Sequence, residues 1–189
     1  MKKAIALTMA LAMMLTLFAG CGKSEPVETA PAQQLPASAL EILETVWANY
    51  ADDEKFAIIG GNIEANIMDA PGNYDLTYAE NMTWNLLVPA DRIGDVAEAA
   101  SMIHMMNANN FTCGVFHVTG NANDFAKAMA DAVKNNQWMC GMPETMNVSV
   151  IGGEYVLMAF GINDAMNPFT AKLAEAYPAA ETVASGPVA

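Results

Sequence analysis

The chain has 189 residues, of which 53% are hydrophobic, and its 21 acidic and 8 basic side chains give a formal net charge of −13. A chain this negative repels nucleic acid and anionic lipid headgroups, so we expect neither as a ligand. The acidic residues are dispersed, with the largest cluster at residues 52–54, which is typical of a solvated surface rather than of a cation site.

The N-terminus has the pattern of a secretory signal. Lys2 and Lys3 precede an uncharged, apolar run over residues 4–20, and small residues lead into Cys21. A membrane-spanning helix is the alternative, but the run is shorter than the roughly 20 residues needed to cross a bilayer. A polar, proline-containing segment follows it. We therefore predict that residues 1–20 are a signal peptide.

Residues 17–21 read LFAGC and resemble the lipobox of bacterial lipoproteins, with Phe18 standing where leucine is commonest. In that family an enzyme attaches diacylglycerol to the cysteine, and a peptidase cuts just before it. The resemblance implies that Cys21 carries lipid, palmitate included, and holds the mature protein on the extracytoplasmic face of the cell membrane. The alternative is an ordinary cleaved signal that leaves a free thiol at Cys21.

Composition divides the rest of the chain into three parts. Residues 21–36 are rich in Pro, Ala, Glu and Gln, which predicts a flexible tether. Residues 37–177 have the usual size of one domain with one core. Residues 178–189 have the composition of a disordered tail. We therefore expect a single folded domain between a tether and a tail.

The first half of this domain contains both helical and strand patterns. Ser38 and Glu41 have the spacing of a capping box, and apolar residues then recur at helical spacing. Residues 84–88 alternate as in a strand, after which Asp91 is suited to cap a helix. The expected elements are a helix over residues 38–50, a strand over 56–59, a loop to 75, a strand over 84–88 and a helix over 91–106.

The second half has clearer turn signals. Gly152 and Gly153 separate two runs rich in β-branched and aromatic residues, which predicts a tight hairpin. Asn123 is suited to cap a helix, and Asn167 with Pro168 is suited to begin another. The expected elements are a strand over residues 111–119, a helix after 123, hairpin strands over 146–151 and 154–160, and a last helix that ends before Pro178.

This order of elements predicts an α+β fold. We expect a mixed sheet of about five strands with helices packed mainly on one face, ending in the order strand, helix, hairpin, helix. Together with the lipobox, this ending resembles that of uncharacterised small lipoproteins of Gram-positive bacteria. The resemblance rests on element order, so it assigns no site residues and no activity.

Both histidines of the chain, three methionines and one cysteine lie within residues 102–117. On the expected helix, however, His104 faces the core while two of the methionines face outward. Cys113 and His117 share a strand face but lie about 13 Å apart, too far to bind one metal ion. We therefore predict neither a metal site nor a cofactor here. A composite site of His104 with Cys113 or His117 is the remaining alternative.

Three residues are candidates for a surface that meets a partner. Met102 and Met105 point away from the core of the expected helix and would form an exposed apolar spot. Trp138 lies in a polar loop over residues 135–144. There it either anchors a partner or packs over the end of the sheet.

The number of cysteines bears on a crosslink. With Cys21 lipidated, Cys113 and Cys140 remain as an even pair outside the cytosol, where a disulfide persists. Closing a loop of this length contributes roughly 3 to 4 kcal/mol. A bridge between Cys113 and Cys140 is therefore one expectation, and two buried thiols are the other.

Catalytic motifs are missing from the sequence, which has no Gly-x-Ser-x-Gly elbow, no His-Glu-x-x-His, no Walker loop and no dinucleotide fingerprint. Both histidines lie in apolar segments, unlike a solvent-facing general base. We expect a lipid-anchored, non-enzymatic module that binds a surface protein or a small ligand, with no catalytic residues. The alternatives are a hydrolase of envelope polymers that uses dispersed carboxylates, and a copper or haem carrier.

Overall fold

A computed structural model describes residues 35–188 of the chain. The expected signal peptide, the expected lipidation site Cys21 and almost all of the expected tether lie outside these residues. In the described part, no helix has the length and hydrophobicity needed to cross a bilayer. The helices are α1 (Ala39–Ala48), α2 (Met82–Asn85), α3 (Ala122–Asn135) and α4 (Asn163–Ala176), with 3-10 turns at Ile63–Ala65, Leu76–Asn81 and Ala90–Asp95.

The strands form one sheet. They are β1 (Ile58–Gly60), β2 (Ile67–Met68), β3 (Gly72–Asn73), β4 (Val96–His104), β5 (Phe111–Val118), β6 (Thr145–Ile151), β7 (Tyr155–Gly161) and β8 (Glu181–Pro187). The order is β2-β1-β4-β5-β7-β6-β8, and β3 also pairs with β4. Helices with a sheet confirm the α+β class. The sheet is larger than the expected five strands, and its pairs within residues 35–188 are antiparallel rather than mixed.

Helices cover both faces of the sheet, whereas we expected them mainly on one face. On the α1/α4 face, α1 and α4 pack against β-strand residues such as Phe111 and Leu157. On the α3 face, α3 packs against residues such as Phe116 and Met158. β7 is buried at all seven positions. A strand that is apolar on both sides needs cover on both sides, which two layers of helices provide.

The hairpin and the Ser38 cap predicted from the sequence are present, but the glutamate of the capping box binds the residue before the cap rather than the cap itself. Ser38 Oγ accepts a hydrogen bond from Glu41 N at 3.0 Å, and Glu41 Oε2 accepts one from Ala37 N at 2.7 Å. Gly152 and Gly153 have positive φ angles of 62° and 79° in the turn between β6 and β7. Because a Cβ atom disfavours this conformation, the glycines dictate the position of the turn.

Residues 84–106 differ from the expectation. Trp84 belongs to the short α2 rather than to a strand, and the expected helix over residues 91–106 is a 3-10 turn followed by β4. Alanine-rich segments favour a helix locally. Here strand pairing on both edges outweighs that preference, because β5 lies along one edge of β4 and β1 and β3 lie along the other.

Two helices begin at residues other than those expected. Asn121 rather than Asn123 caps α3 with its side chain. α4 begins at Asn163, four residues before the expected start, and Pro168 lies inside the helix. The Glu144 carboxylate accepts a hydrogen bond from Asn163 N at 2.6 Å. A carboxylate at a helix N-terminus is stabilised by the helix dipole, which explains the earlier start.

The expected disordered tail is instead the edge of the sheet. β8 pairs with β6 from Thr145 opposite Pro187 to Val150 opposite Glu181. Val188, just beyond β8, is 4% exposed and packs in the core of the α3 face. The folded part therefore extends past residue 177 to Val188, and the order strand, helix, hairpin, helix is followed by one more strand.

Candidate functional site

An exposed, uncharged surface begins at one end of the sheet, where β4 turns into β5. Met105 is 41% exposed and Met106 is 78% exposed. His104 holds the backbone of this turn, because its Nδ1 accepts hydrogen bonds from Met106 N at 3.1 Å and from Asn107 N at 3.4 Å. The turn is thus fixed by its backbone while its methionine side chains face solvent.

The loop that follows α3 is hydrogen-bonded to this turn. Asn107 Nδ2 donates to Cys140 O at 3.2 Å. Asn109 Nδ2 donates to Met139 O at 2.6 Å and to Gly141 O at 2.7 Å. Cys140 and Gly141 both have positive φ, so the loop bends sharply where the two amides bind it. Two segments far apart in the sequence therefore form one surface.

Further exposed side chains complete this surface. Trp84 is 84% exposed and lines a cavity of about 210 Å³ together with Met105 and Met106. On the loop after α3, Met139 and Met142 are also exposed. We call these five side chains the methionine surface. The two loops that supply its four methionines, residues 105–110 and 136–143, contain no charged residue.

Of the three residues expected at a partner surface, only Met105 lies on this one. Met102 is fully buried on the α1/α4 face, because on a strand its side chain points between the sheet and the helices. Trp138 packs over the sheet, with its ring centroid 4.9 Å from that of Phe160. Its indole N–H is buried without a hydrogen-bond partner among the described residues. The packing interpretation of Trp138 is therefore the one that the structure supports.

The expected disulfide between Cys113 and Cys140 is not formed, and both residues are free thiols. Cys113 lies on β5 and is fully buried in the core of the α1/α4 face. Cys140 is exposed in the loop after α3. A side chain enclosed between a sheet and two helices cannot reach an exposed loop sulfur without backbone movement, so separation along the sequence was a poor guide to proximity.

The composite metal site of His104 with Cys113 or His117 is not formed. His117 lies opposite Glu98 on β4, and His104 is six residues further along β4, about 20 Å away. Burial raises the pKa of the Cys113 thiol, whereas metals bind the thiolate. His117 Nε2 is instead 3.6 Å from Glu154 Oε2. No group of three or more His, Cys, Asp or Glu side chains within residues 35–188 is placed to hold a metal ion.

Carboxylates do not converge in any of five cavities formed by residues 35–188. Of five cavities of about 210 to 580 Å³, Glu181 lines one, Asp131 lines another, and none has a second carboxylate. Hydrolysis of a glycosidic bond needs two carboxyl groups roughly 5 to 9.5 Å apart. These cavities therefore give no support to the hydrolase alternative.

Reasoning from the sequence missed four members of the methionine surface. The signal that points to Met106, Met139 and Met142 is the coincidence of methionine and asparagine in two charge-free loops of an acidic chain, whereas Trp84 lies outside these loops on α2. Two such loops read separately give no hint that asparagine amides join them. Comparisons with protein-family models, with curated proteins and with solved structures found no significant match.

Proposed function

We propose that this chain is a lipid-anchored lipoprotein of the cell surface and that its folded domain is a non-enzymatic module that binds a protein partner through the methionine surface. The cluster of exposed, uncharged side chains carries the proposal. The cores of protein interfaces are depleted of charge and enriched in methionine and aromatic residues, which is the composition found here. Contiguous exposed apolar side chains commonly mark interaction sites.

The position of the methionine surface supports the same proposal. The described chain begins at Leu35, which lies against the β6–β7 turn, since a Cβ atom added to Gly152 would be 2.5 Å from Leu35 Cδ2. Tyr155, the first residue of β7 after this turn, pairs with His117 on β5. Gly161, the last residue of β7, pairs with Phe111 at the opposite end of the sheet. That span is about 20 Å. The described chain therefore begins at one end of the sheet, and the methionine surface lies at the other.

The chemistry of this surface indicates the kind of partner. Methionine side chains are flexible and polarisable, so they adapt to apolar groups of varied shape. The chain outside the surface is strongly acidic and repels other acidic proteins. The partner is therefore a protein that presents apolar side chains within a neutral or basic rim.

Site-specific photocrosslinking in cells tests the partner surface. A benzoylphenylalanine probe at Met106 is expected to give a crosslinked species, and a second substitution, Met139→Asp, is expected to reduce its yield at least about fivefold. The matched control places the probe at Lys127, which is exposed on α3, where no crosslink is expected. Equal crosslinking from both positions, or a yield unaffected by Met139→Asp, would show that the methionine surface is not the binding site.

Uptake of labelled palmitate tests the anchor separately. The chain is expected to incorporate the label and to lose it in Cys21→Ser, because the lipid attaches through that sulfur. The matched control is Cys140→Ser, which removes an exposed cysteine of the folded domain and should keep the label. Labelling that persists in Cys21→Ser contradicts the anchor and leaves the crosslinking result to be judged by itself.

A further inference from the structure

A second and separate feature lies on β6. Asn147 is 5% exposed and Ser149 is 1% exposed, and both lie on the side of the sheet that faces α4. The alternate residues of β6, Met146, Val148 and Val150, belong to the apolar core of the α3 face. A polar side chain in so buried a position destabilises the fold unless it is hydrogen-bonded. Two such residues side by side need a physical explanation.

The hydrogen-bonding capacity of Asn147 is only partly used. Ser149 Oγ donates to Asn147 Oδ1 at 2.8 Å. The amino group at the other end of the amide has no acceptor among the described residues. Asn147 lines two adjoining cavities, from which a ligand can approach its amide. A donor that has no protein acceptor, on a residue that lines a cavity, is available to a ligand.

The two cavities form one groove between α4 and the strands β6 and β8, which we call the β6–β8 groove. Their volumes are about 410 and 210 Å³, and Asn147 and Thr170 line both. β8 contributes Thr182, which lies opposite Ser149, and Ser185, which lies opposite Asn147. Residues with hydroxyl groups thus line the groove together with Asn147. The larger volume falls within the range of about 300 to 1,000 Å³ that is usual for small-molecule sites.

The β6–β8 groove is uncharged, although the chain has 21 acidic residues. A charged ligand would lose its hydration there without meeting an opposite charge. Hydroxyl and amide groups suit a ligand that both donates and accepts hydrogen bonds, while Met166 and Ala171 supply apolar contact. We propose that the groove binds a neutral sugar unit that carries hydroxyl and amide groups. This proposal is independent of the methionine surface and of its partner.

Methyl NMR of the full chain tests the proposal. The protein is isolated in a detergent without a sugar headgroup and labelled at its methionine methyl groups, and the probe is N-acetylglucosamine. Met166 lines the groove and reports binding there, whereas the exposed Met106 and Met139 report non-specific effects. A saturable shift of Met166 is expected with a Kd of about 1 to 10 mM, while Met106 and Met139 do not shift.

Charged analogues and variants complete the experiment. Glucosamine, with an ammonium group, and glucuronate, with a carboxylate, are each expected to bind at least about fivefold more weakly. Asn147→Ala and Thr170→Val each remove a hydrogen-bonding group and should weaken binding about fivefold. Thr170 is exposed on α4, so its variant keeps the core intact even where Asn147→Ala unfolds the protein. Asn135→Ala, on α3, is the matched control and should bind normally.

Three results would overturn the proposal. The first is the absence of a saturable Met166 shift up to about 50 mM N-acetylglucosamine, well above the expected Kd. The second is equal binding of glucosamine or glucuronate, since an uncharged groove disfavours both. The third is unchanged binding in folded Asn147→Ala and in Thr170→Val, which would place the ligand outside the β6–β8 groove.

Discussion

The side chain of Asn109 donates a hydrogen bond to the carbonyl oxygen of Met139 at 2.6 Å, across 30 residues of sequence. The same Nδ2 donates to Gly141 O at 2.7 Å, so one amide holds the loop on both sides of Cys140. The methionine surface therefore depends on a contact between the β4–β5 turn and the loop after α3.

Asn109→Ala is expected to loosen this loop without unfolding the domain. The loss of two hydrogen bonds near the surface should lower the free energy of unfolding by about 1 to 2 kcal/mol and speed proteolytic cleavage within residues 136–143. Urea unfolding and limited proteolysis followed by mass spectrometry check this. Asn135→Ala is the control, because its side chain bonds only to Asp131 within α3. An unchanged cleavage rate in the loop of Asn109→Ala would mean that other contacts hold it.

The two cysteines of the described domain are expected to react very differently with a thiol reagent. In Cys21→Ser, native protein should take up one label, at the exposed Cys140, because Cys113 is fully buried and its raised pKa favours the thiol. A second label should appear only in denaturant. Intact mass before and after denaturation provides the measurement. Protein that takes up no label until a reductant is added would instead contain the disulfide.

Tyr50→Phe is expected to preserve stability at neutral pH or to raise it by up to about 1 kcal/mol. The Tyr50 hydroxyl is buried without a hydrogen-bond partner among the described residues, so its removal deletes an unsatisfied polar group. Urea unfolding gives the free energy. The control is Tyr78→Phe, at a position that is 45% exposed, which should change little.

Tyr50→Phe should also reduce the loss of stability in alkali. Burial, with smaller contributions from Cys113 and Glu54, raises the pKa of Tyr50 in the folded state. The folded protein then holds the phenol proton more tightly than the unfolded chain, whose pKa is about 10. The contribution of this difference in pKa to the free energy of unfolding is therefore complete below about pH 10 and is lost as the pH rises above it. Equal declines of unfolding free energy above pH 10 in the wild type and Tyr50→Phe would contradict this linkage.

A chain that stops after Pro178 is expected to lose at least about 2 kcal/mol of stability. The truncation removes the β8 ladder from β6 and exposes core residues that Val188 covers. Thermal or urea unfolding measures the loss, and Val188→Ala should show about 1 kcal/mol of it. Identical unfolding of the truncated and the complete chain is the behaviour of a disordered tail and would argue against β8.

Several elements were predictable because their signals are local. The capping residues of α1, the paired glycines of the hairpin and the apolar run of β5 each select a backbone conformation within a few residues. The candidate surface was predictable only at Met105. Met106, Met139 and Met142 depend on where two loops meet, and Trp84 depends on where α2 packs beside one of them.

The sequence by itself determined the class of the fold and the positions of its clearest turns, because capping and positive φ are properties of short segments. Only the tertiary structure decided that residues 96–104 are a strand, that residues 181–187 close the edge of the sheet and that Met102 is buried. Alanine-rich and polar segments have weak preferences of their own. Their conformation follows from the partners that pair with them, which lie far away along the chain.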